Sequence, residues 1–190
     1  MGKDLVTKTE YKAYAGINST TQDAEIDSLI PKVSELVKSY CRRTFIDHVD
    51  DVKIEVFKGG NKELLLSEFP VTQVVSVQVS TDYGQTYTKL TKFTDWVPDG
   101  DTVVSLDPAG VGFKELINGY KVTYFAGFDP IPEDLKLVTL DLISYYLKNS
   151  SAVHSARVQQ PNTMQVQYVT GSQFPSHIRR VLDMYKANYL

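Results

Sequence analysis

Cysteine is almost absent from this 190-residue chain: Cys41 is the only one, so no intrachain disulfide can form and the fold does not depend on an oxidising compartment. Histidine is scarce as well. His48, His154 and His177 lie far apart, and no CxxC, HExxH or HxH pair occurs, so neither a metal centre nor a His-activated nucleophile is expected. Gly59-Gly60 lacks the Gly-Lys-Ser/Thr of a phosphate loop, and Gly110 and Gly112 do not lead into a helix start. Asp95, Asp99 and Asp101 come closest to a calcium loop, but their spacing is not that of an EF-hand, and Pro98-Asp99-Gly100 reads more simply as a turn. No apolar run approaches a membrane span, and the first residues show no signal-peptide core, which leads us to expect a soluble protein that assembles in a cytoplasm, away from membranes. An excess of basic charge is missing too. Lys plus Arg is 20 against 23 Asp plus Glu, a net −3, which argues against a strong sequence-independent grip on DNA. These absences predict a protein that is not an enzyme and carries no cofactor.

Helical periodicity dominates what remains. In TTQDAEIDSLIPKVSELVKSYCRRTF, residues Ile26, Leu29, Ile30, Val33, Val37, Tyr40 and Cys41 share one face of an amphipathic helix. The helix is expected to start near Thr21, with Asp23, Glu25 and Asp27 at its positive dipole end and a kink at Pro31. Cys41 falls on the apolar stripe and should be buried and redox-silent. Arg42-Arg43 reads as a basic last turn suited to its own helix dipole, or as a phosphate clamp. Upstream, Thr7-Lys8-Thr9-Glu10 is a capping box for a short helix that Gly16 can end in a left-handed cap.

From His48 the period changes to two. Val52 to Val56, Leu64 to Leu66, Val71 to Ser80, Tyr87 to Leu90, Thr102 to Leu106 and Tyr120 to Phe125 read as about six strands, separated by turn-forming STDYGQ, VPDGD, DPAGVG and NG. Helix returns at Pro132, where nine of the thirteen residues from Leu135 to Leu147 are apolar, a face wide enough for both its own protomer and a neighbour. Residues 149–174 are polar and low in charge, which suggests a flexible loop that orders on assembly. A last helix, residues 175–190, keeps Ile178, Val181, Leu182, Tyr185 and Tyr189 on one face. Arg179 and Arg180 in its first turn oppose the helix dipole by about 0.3–1 kcal/mol each, a cost that an acidic partner would offset.

The expected fold class is α+β: a small bundle of about four helices from residues 1–47 and 131–190, with an inserted, mainly antiparallel β module at 48–130. Charge divides unevenly along it. Residues 48–130 hold 7 basic and 12 acidic side chains (−5), whereas residues 131–190 hold 6 and 4 (+2).

Three segments taken together, LVTKTEYKAYAGI with DAEIDSLIPKVSELVKSYCRRTF, then KVTYFAGFDPIPEDLKLVTLDLISYYL, then FPSHIRRVLDMYKANYL, resemble the head-tail connector (head-completion adaptor) proteins of tailed bacteriophages. The resemblance implies a structural virion protein, assembled in the host cytoplasm and located at the head-tail interface. It implies a homo-oligomeric ring of twelve copies beneath the portal protein, through which DNA passes without sequence-specific binding, and which offers a platform to a tail or stopper (head-closure) protein. On that reading Ile178, Arg179, Arg180, Val181, Leu182, Tyr185, Tyr189 and Leu190 are expected to bind the portal, and Leu135, Val138, Leu142, Tyr145 and Tyr146 to form the ring interface. The rival expectation is a tail-associated or carbohydrate-binding β module using Tyr83, Tyr87 and Trp96 as a stacking platform.

Overall fold

The computed structural model describes residues 2–149 and 174–187, with the backbone alone at Asn149. Among them are four helices, α1 (Lys8–Ala15), α2 (Asp23–Cys41), α3 (Glu133–Asn149) and α4 (Ser176–Met184). Seven strands lie between α2 and α3: β1 (Lys53–Phe57), β2 (Glu63–Leu65), β3 (Val71–Val79), β4 (Thr88–Lys89), β5 (Trp96–Asp99), β6 (Thr102–Ser105) and β7 (Tyr120–Ala126). All strand pairings are antiparallel, so the fold class is α+β as expected. The chain divides into two compact units, a helical one of Asp4–Cys41 and Pro132–Lys186, and a β unit of Arg42–Ile131 with Met1–Lys3 and Ala187–Leu190.

In the helical unit, local chemistry sets each start and stop. Thr7 Oγ1 accepts the Glu10 amide (3.2 Å) while the Glu10 carboxylate accepts the Thr7 amide (2.7 Å), completing the capping box. Gly16 ends α1 at φ 67°, a left-handed conformation that costs glycine nothing. The second helix begins at Asp23, slightly later than Thr21, because residues 20–23 first make a turn closed by the Asp23 amide on the Thr20 carbonyl (3.1 Å). It runs on through Pro31. Ile26, Ile30, Val33, Val37 and Cys41 are buried as one stripe. Helix α2 packs on α3 and α4, and α1 on α2 and α3. The last helix stops at Met184 rather than Leu190, where the Tyr185 amide donates to the Leu182 carbonyl (3.0 Å).

The β unit is built on two sheets, ordered β1-β7-β3-β4 and β2-β6-β5. Inward residues of both, among them Val74, Val77, Val122 and Tyr124 from the first and Leu64, Trp96 and Val103 from the second, form one core. Strand β5 is not among the strands expected from the sequence: it runs through Pro98, whose Pro-Asp-Gly setting predicts a turn. Proline has no amide to give a ladder and is tolerated because β5 is an edge strand.

A buried charge cluster closes the entrance to this unit. Both Arg43 and Glu68 are buried. The Glu68 carboxylate accepts the amides of Thr44 (2.9 Å) and Phe45 (3.0 Å) and the Thr44 hydroxyl (3.0 Å), with Arg43 Nε at 3.6 Å and Lys53 Nζ at 3.7 Å. The Arg43 guanidinium donates to the Phe69 carbonyl and lies 3.3 Å from the Phe69 ring centroid. Arg43 is therefore neither a dipole-capping surface residue nor a phosphate clamp. Gly127, at φ 126°, lets the backbone pass so close to the Phe45 carbonyl that a side chain there would collide with it.

Candidate functional site

Helix α4 is anchored by the residues its amphipathic pattern picks out. Ile178 and Leu182 are fully buried in the helical unit, and the Cys41 thiol donates to the Leu182 carbonyl (3.5 Å). Val181 is half-buried. So is Tyr185, whose hydroxyl donates to Asp134 (2.6 Å). Arg179 and Arg180 are exposed, and neither forms an ion pair among the described residues. Tyr189 and Leu190 lie outside the described residues, as does almost all of the 149–174 loop.

Helix α3 divides in the same way. Leu135, Val138 and Leu142 are buried within the protomer, whereas Tyr145 and Tyr146 are half-buried and stack edge-on with ring centroids 5.7 Å apart. The exposed apolar residue of this helix is Leu137, at 49%. Five of the nine apolar positions of 135–147, Leu135, Val138, Leu140, Leu142 and Ile143, thus serve the protomer's own core.

Among the described residues no arrangement suited to covalent or acid–base chemistry emerges. An open groove of about 830 Å³ in the helical unit includes Tyr11, Tyr14, Asp141, Ser144 and His177 in its lining, but its polar groups satisfy one another: the Tyr14 hydroxyl donates to Asp141, and Tyr11 and Ser144 hydroxyls lie 3.2 Å apart. Among the described residues no group of three His, Cys, Asp or Glu could hold a metal ion, and no helix is long and apolar enough to cross a membrane. Asp95 and Asp101 are occupied as loop braces, accepting the Thr91 (2.6 Å) and Val71 (2.9 Å) amides.

The proposed stacking platform is corrected by burial. Trp96 is 2% exposed, its indole donating to the Leu90 carbonyl (3.4 Å), and Tyr87 is covered by the Lys121 ammonium 4.1 Å from its ring centroid. Only Tyr83 projects, at 70% exposure.

Against this geometry, the comparisons with known proteins are consistent across the whole chain. A family model described as head completion protein matches residues 4–188. A head completion protein of Escherichia phage T5 is 24% identical over 188 residues, covering 96% of this chain and 98% of the relative. Among solved structures, the neck of an empty gene transfer agent (GTA) particle, computed with C6 symmetry, superposes at TM-score 0.61 with 13% identity, covering 98% of this chain and 91% of that one. The neck of a native GTA particle computed with C12 symmetry gives TM-score 0.56 with 14% identity, covering 100% and 97%. The match over nearly the full length shows that the chain belongs to the head completion protein family, as a structural, non-enzymatic head-tail connector protein of a phage-like virion.

Proposed function

We propose that this protein forms a ring, of twelve copies, between the portal of a filled capsid and the tail or stopper protein, extending the channel through which DNA passes. The observation that carries the reading is the family match over residues 4–188, joined to a fold shared with neck components of particles resolved with C6 and C12 symmetry. In this reading α4 faces the portal through Arg179 and Arg180, held in place by the buried Ile178 and Leu182 beneath them. Exposed Leu137 and half-buried Tyr145 and Tyr146 on α3 are the part of that helix left to touch a neighbouring copy. The −5 charge of residues 48–130 suits a channel wall that repels phosphates, so that duplex slides rather than sticks. Assembly would take place in the host cytoplasm.

The experiment is a mass measurement of the protein mixed with its portal, for wild type and for Arg179→Glu with Arg180→Glu. Charge reversal is preferable to deleting the helix, because removing Ile178 and Leu182 would unpack the helical unit as well. A ring of defined mass that wild type forms on the portal, and that the double variant forms only weakly and in a salt-sensitive way, supports the reading. A wild-type chain that stays monomeric with portal present would refute it.

A further inference from the structure

Because both sheets of the β unit turn one face to a shared core, each has a second, outward face, and the two look away from that core on opposite sides. Their chemistry differs. On the β1-β7-β3-β4 sheet, the register places Val56, Lys121, Gln78 and Lys89 in one outward row across all four strands, with Ile54 in the next row. Ile54 and Val56 are 58% and 50% exposed. No outward strand position on this sheet carries a carboxylate, although residues 48–130 hold 12 acidic side chains against 7 basic ones.

On the β2-β6-β5 sheet the pattern is reversed. Glu63 and Asp99 are exposed at opposite ends of the outward face, in the rows Glu63–Val104–Val97 and Leu65–Thr102–Asp99, and Leu65 between them is 54% exposed. No outward strand position here is Lys or Arg. None of Lys89, Lys121, Glu63 and Asp99 forms an ion pair among the described residues. One body therefore shows a cationic face with exposed aliphatics on one side and an anionic face with an exposed leucine on the other.

We propose that these faces are the two halves of one contact between copies of this chain, the lysine-bearing sheet of one protomer seating on the carboxylate-bearing sheet of the next. A two-fold pairing would set lysines against lysines or carboxylates against carboxylates. The complementary pairing is heterologous, uses one face of each copy and leaves the other open for a further copy, which is the contact from which closed rings are built. Ile54, Val56 and Leu65 supply apolar area to desolvate, while the charges fix partner and register. The inference rests on the ring reading above and names which surfaces of the β unit make the ring.

The test uses two full-length variants, Lys89→Glu with Lys121→Glu and Glu63→Lys with Asp99→Lys, all at exposed or half-exposed sites, with circular dichroism confirming the fold. Oligomer mass is measured for each variant alone, for an equimolar mixture, and for the fourfold swap in one chain, all with portal present. Each variant alone carries two like-charged faces and should need about tenfold or more higher concentration to assemble. The mixture and the fourfold swap should both recover assembly, and rings from the mixture should alternate the two chains. Wild-type rings matched by both variants alone would overturn the assignment of faces while leaving the ring reading intact. A wild type that never assembles would overturn both. Should Lys121→Glu disturb the Tyr87 contact, Lys89→Glu alone against Asp99→Lys gives the same comparison, and absence of rescue in that mixture counts against the proposal.

Discussion

The two units of this protein handle charge in opposite ways. The helical unit links its helices through partly or largely solvated side chains, Lys8–Asp27 (2.8 Å), Lys12–Asp23 (2.7 Å) and Lys136–Glu10 (3.2 Å), and its buried Lys38 reaches an exposed partner, Glu35 (3.5 Å). The β unit buries Glu68 and Arg43 outright and satisfies the carboxylate with two backbone amides and a hydroxyl. Solvated pairs contribute about 0–1 kcal/mol, because water competes for both charges. A buried carboxylate has lost that water, so its partners are obligatory. The helical unit can therefore vary its surface charges freely, while the β unit depends on one cluster where the chain enters it.

The sharpest way to break this comparison is to remove one buried partner. Glu68→Ala leaves Arg43 buried without its carboxylate and strips the Thr44 and Phe45 amides of their acceptor, and should cost about 3–5 kcal/mol. Lys136→Ala, on the helical unit, should cost under about 1 kcal/mol. Urea unfolding midpoints at unchanged slope measure both, and a Glu68→Ala loss as small as that of Lys136→Ala would erase the distinction.

A second variant tests whether the helical unit instead depends on apolar packing. Leu182→Ala removes a fully buried side chain beneath the exposed arginines of α4 and should cost about 2–5 kcal/mol. Since the Cys41 thiol donates to the carbonyl of Leu182, loosening α4 should also raise the rate at which a small thiol reagent labels Cys41, which in wild type should be slow. Fast labelling of the folded wild type would show that α4 does not hold its place.

The same contrast explains what could be read from the sequence. Helix boundaries depend on residues three or four apart, so the Thr7–Glu10 box, the Gly16 cap and the Ile26-to-Cys41 stripe were legible directly. Strand β1 announced itself by alternation, and β2, β3, β4, β6 and β7 as short apolar or β-branched runs between turn signals. Strand β5 did not, because Pro98 looks like a turn residue unless the strand is known to be an edge, and edge position is a property of the whole sheet. The Arg43–Glu68 cluster was illegible for a similar reason: its partners are 25 residues apart, and CRRTF alone reads as a basic helix end. At the candidate docking surfaces, periodicity identified the apolar residues of α3 and α4 but not which of them the protomer keeps, and Ile178, Leu182, Leu135 and Leu142 turned out to be its own core. The opposed sheet faces became visible only once the register placed Lys89 and Lys121 in one row.

A smaller effect probes the local side of the comparison. Thr7→Ala removes the acceptor for the Glu10 amide and should cost about 1 kcal/mol, seen mainly as earlier hydrogen exchange at the start of α1. Protection unchanged at Tyr11 would mean that tertiary contacts, rather than the cap, hold this helix in register.

The smallest effects are set by pH, and they fall at opposite ends of the scale for one probe in each unit. In the β unit, hydrogen bonds from Ser80 and then from the Thr86 hydroxyl and amide hold the Asp82 carboxyl down to about 2, against an ordinary value of 3.8. A carboxylate depressed by folding contributes stability that is present above pH 3.8 and lost as pH falls through about 2. In the helical unit, burial and then the hydrogen bond to Asp183 (2.6 Å) push the Tyr40 phenol up to about 12 from 10. Its contribution is complete below pH 10 and drains away as pH rises through about 12, because the unfolded chain ionises first. Carboxyl-carbon resonances should show Asp82 titrating near 2, and phenolate absorbance, compared between wild type and Tyr40→Phe, should assign the late alkaline step. An Asp82 midpoint at the ordinary carboxylate value would mean that the Ser80–Thr86 loop is open in solution. The hairpin that carries exposed Tyr83 would then be a mobile tip rather than a fixed one.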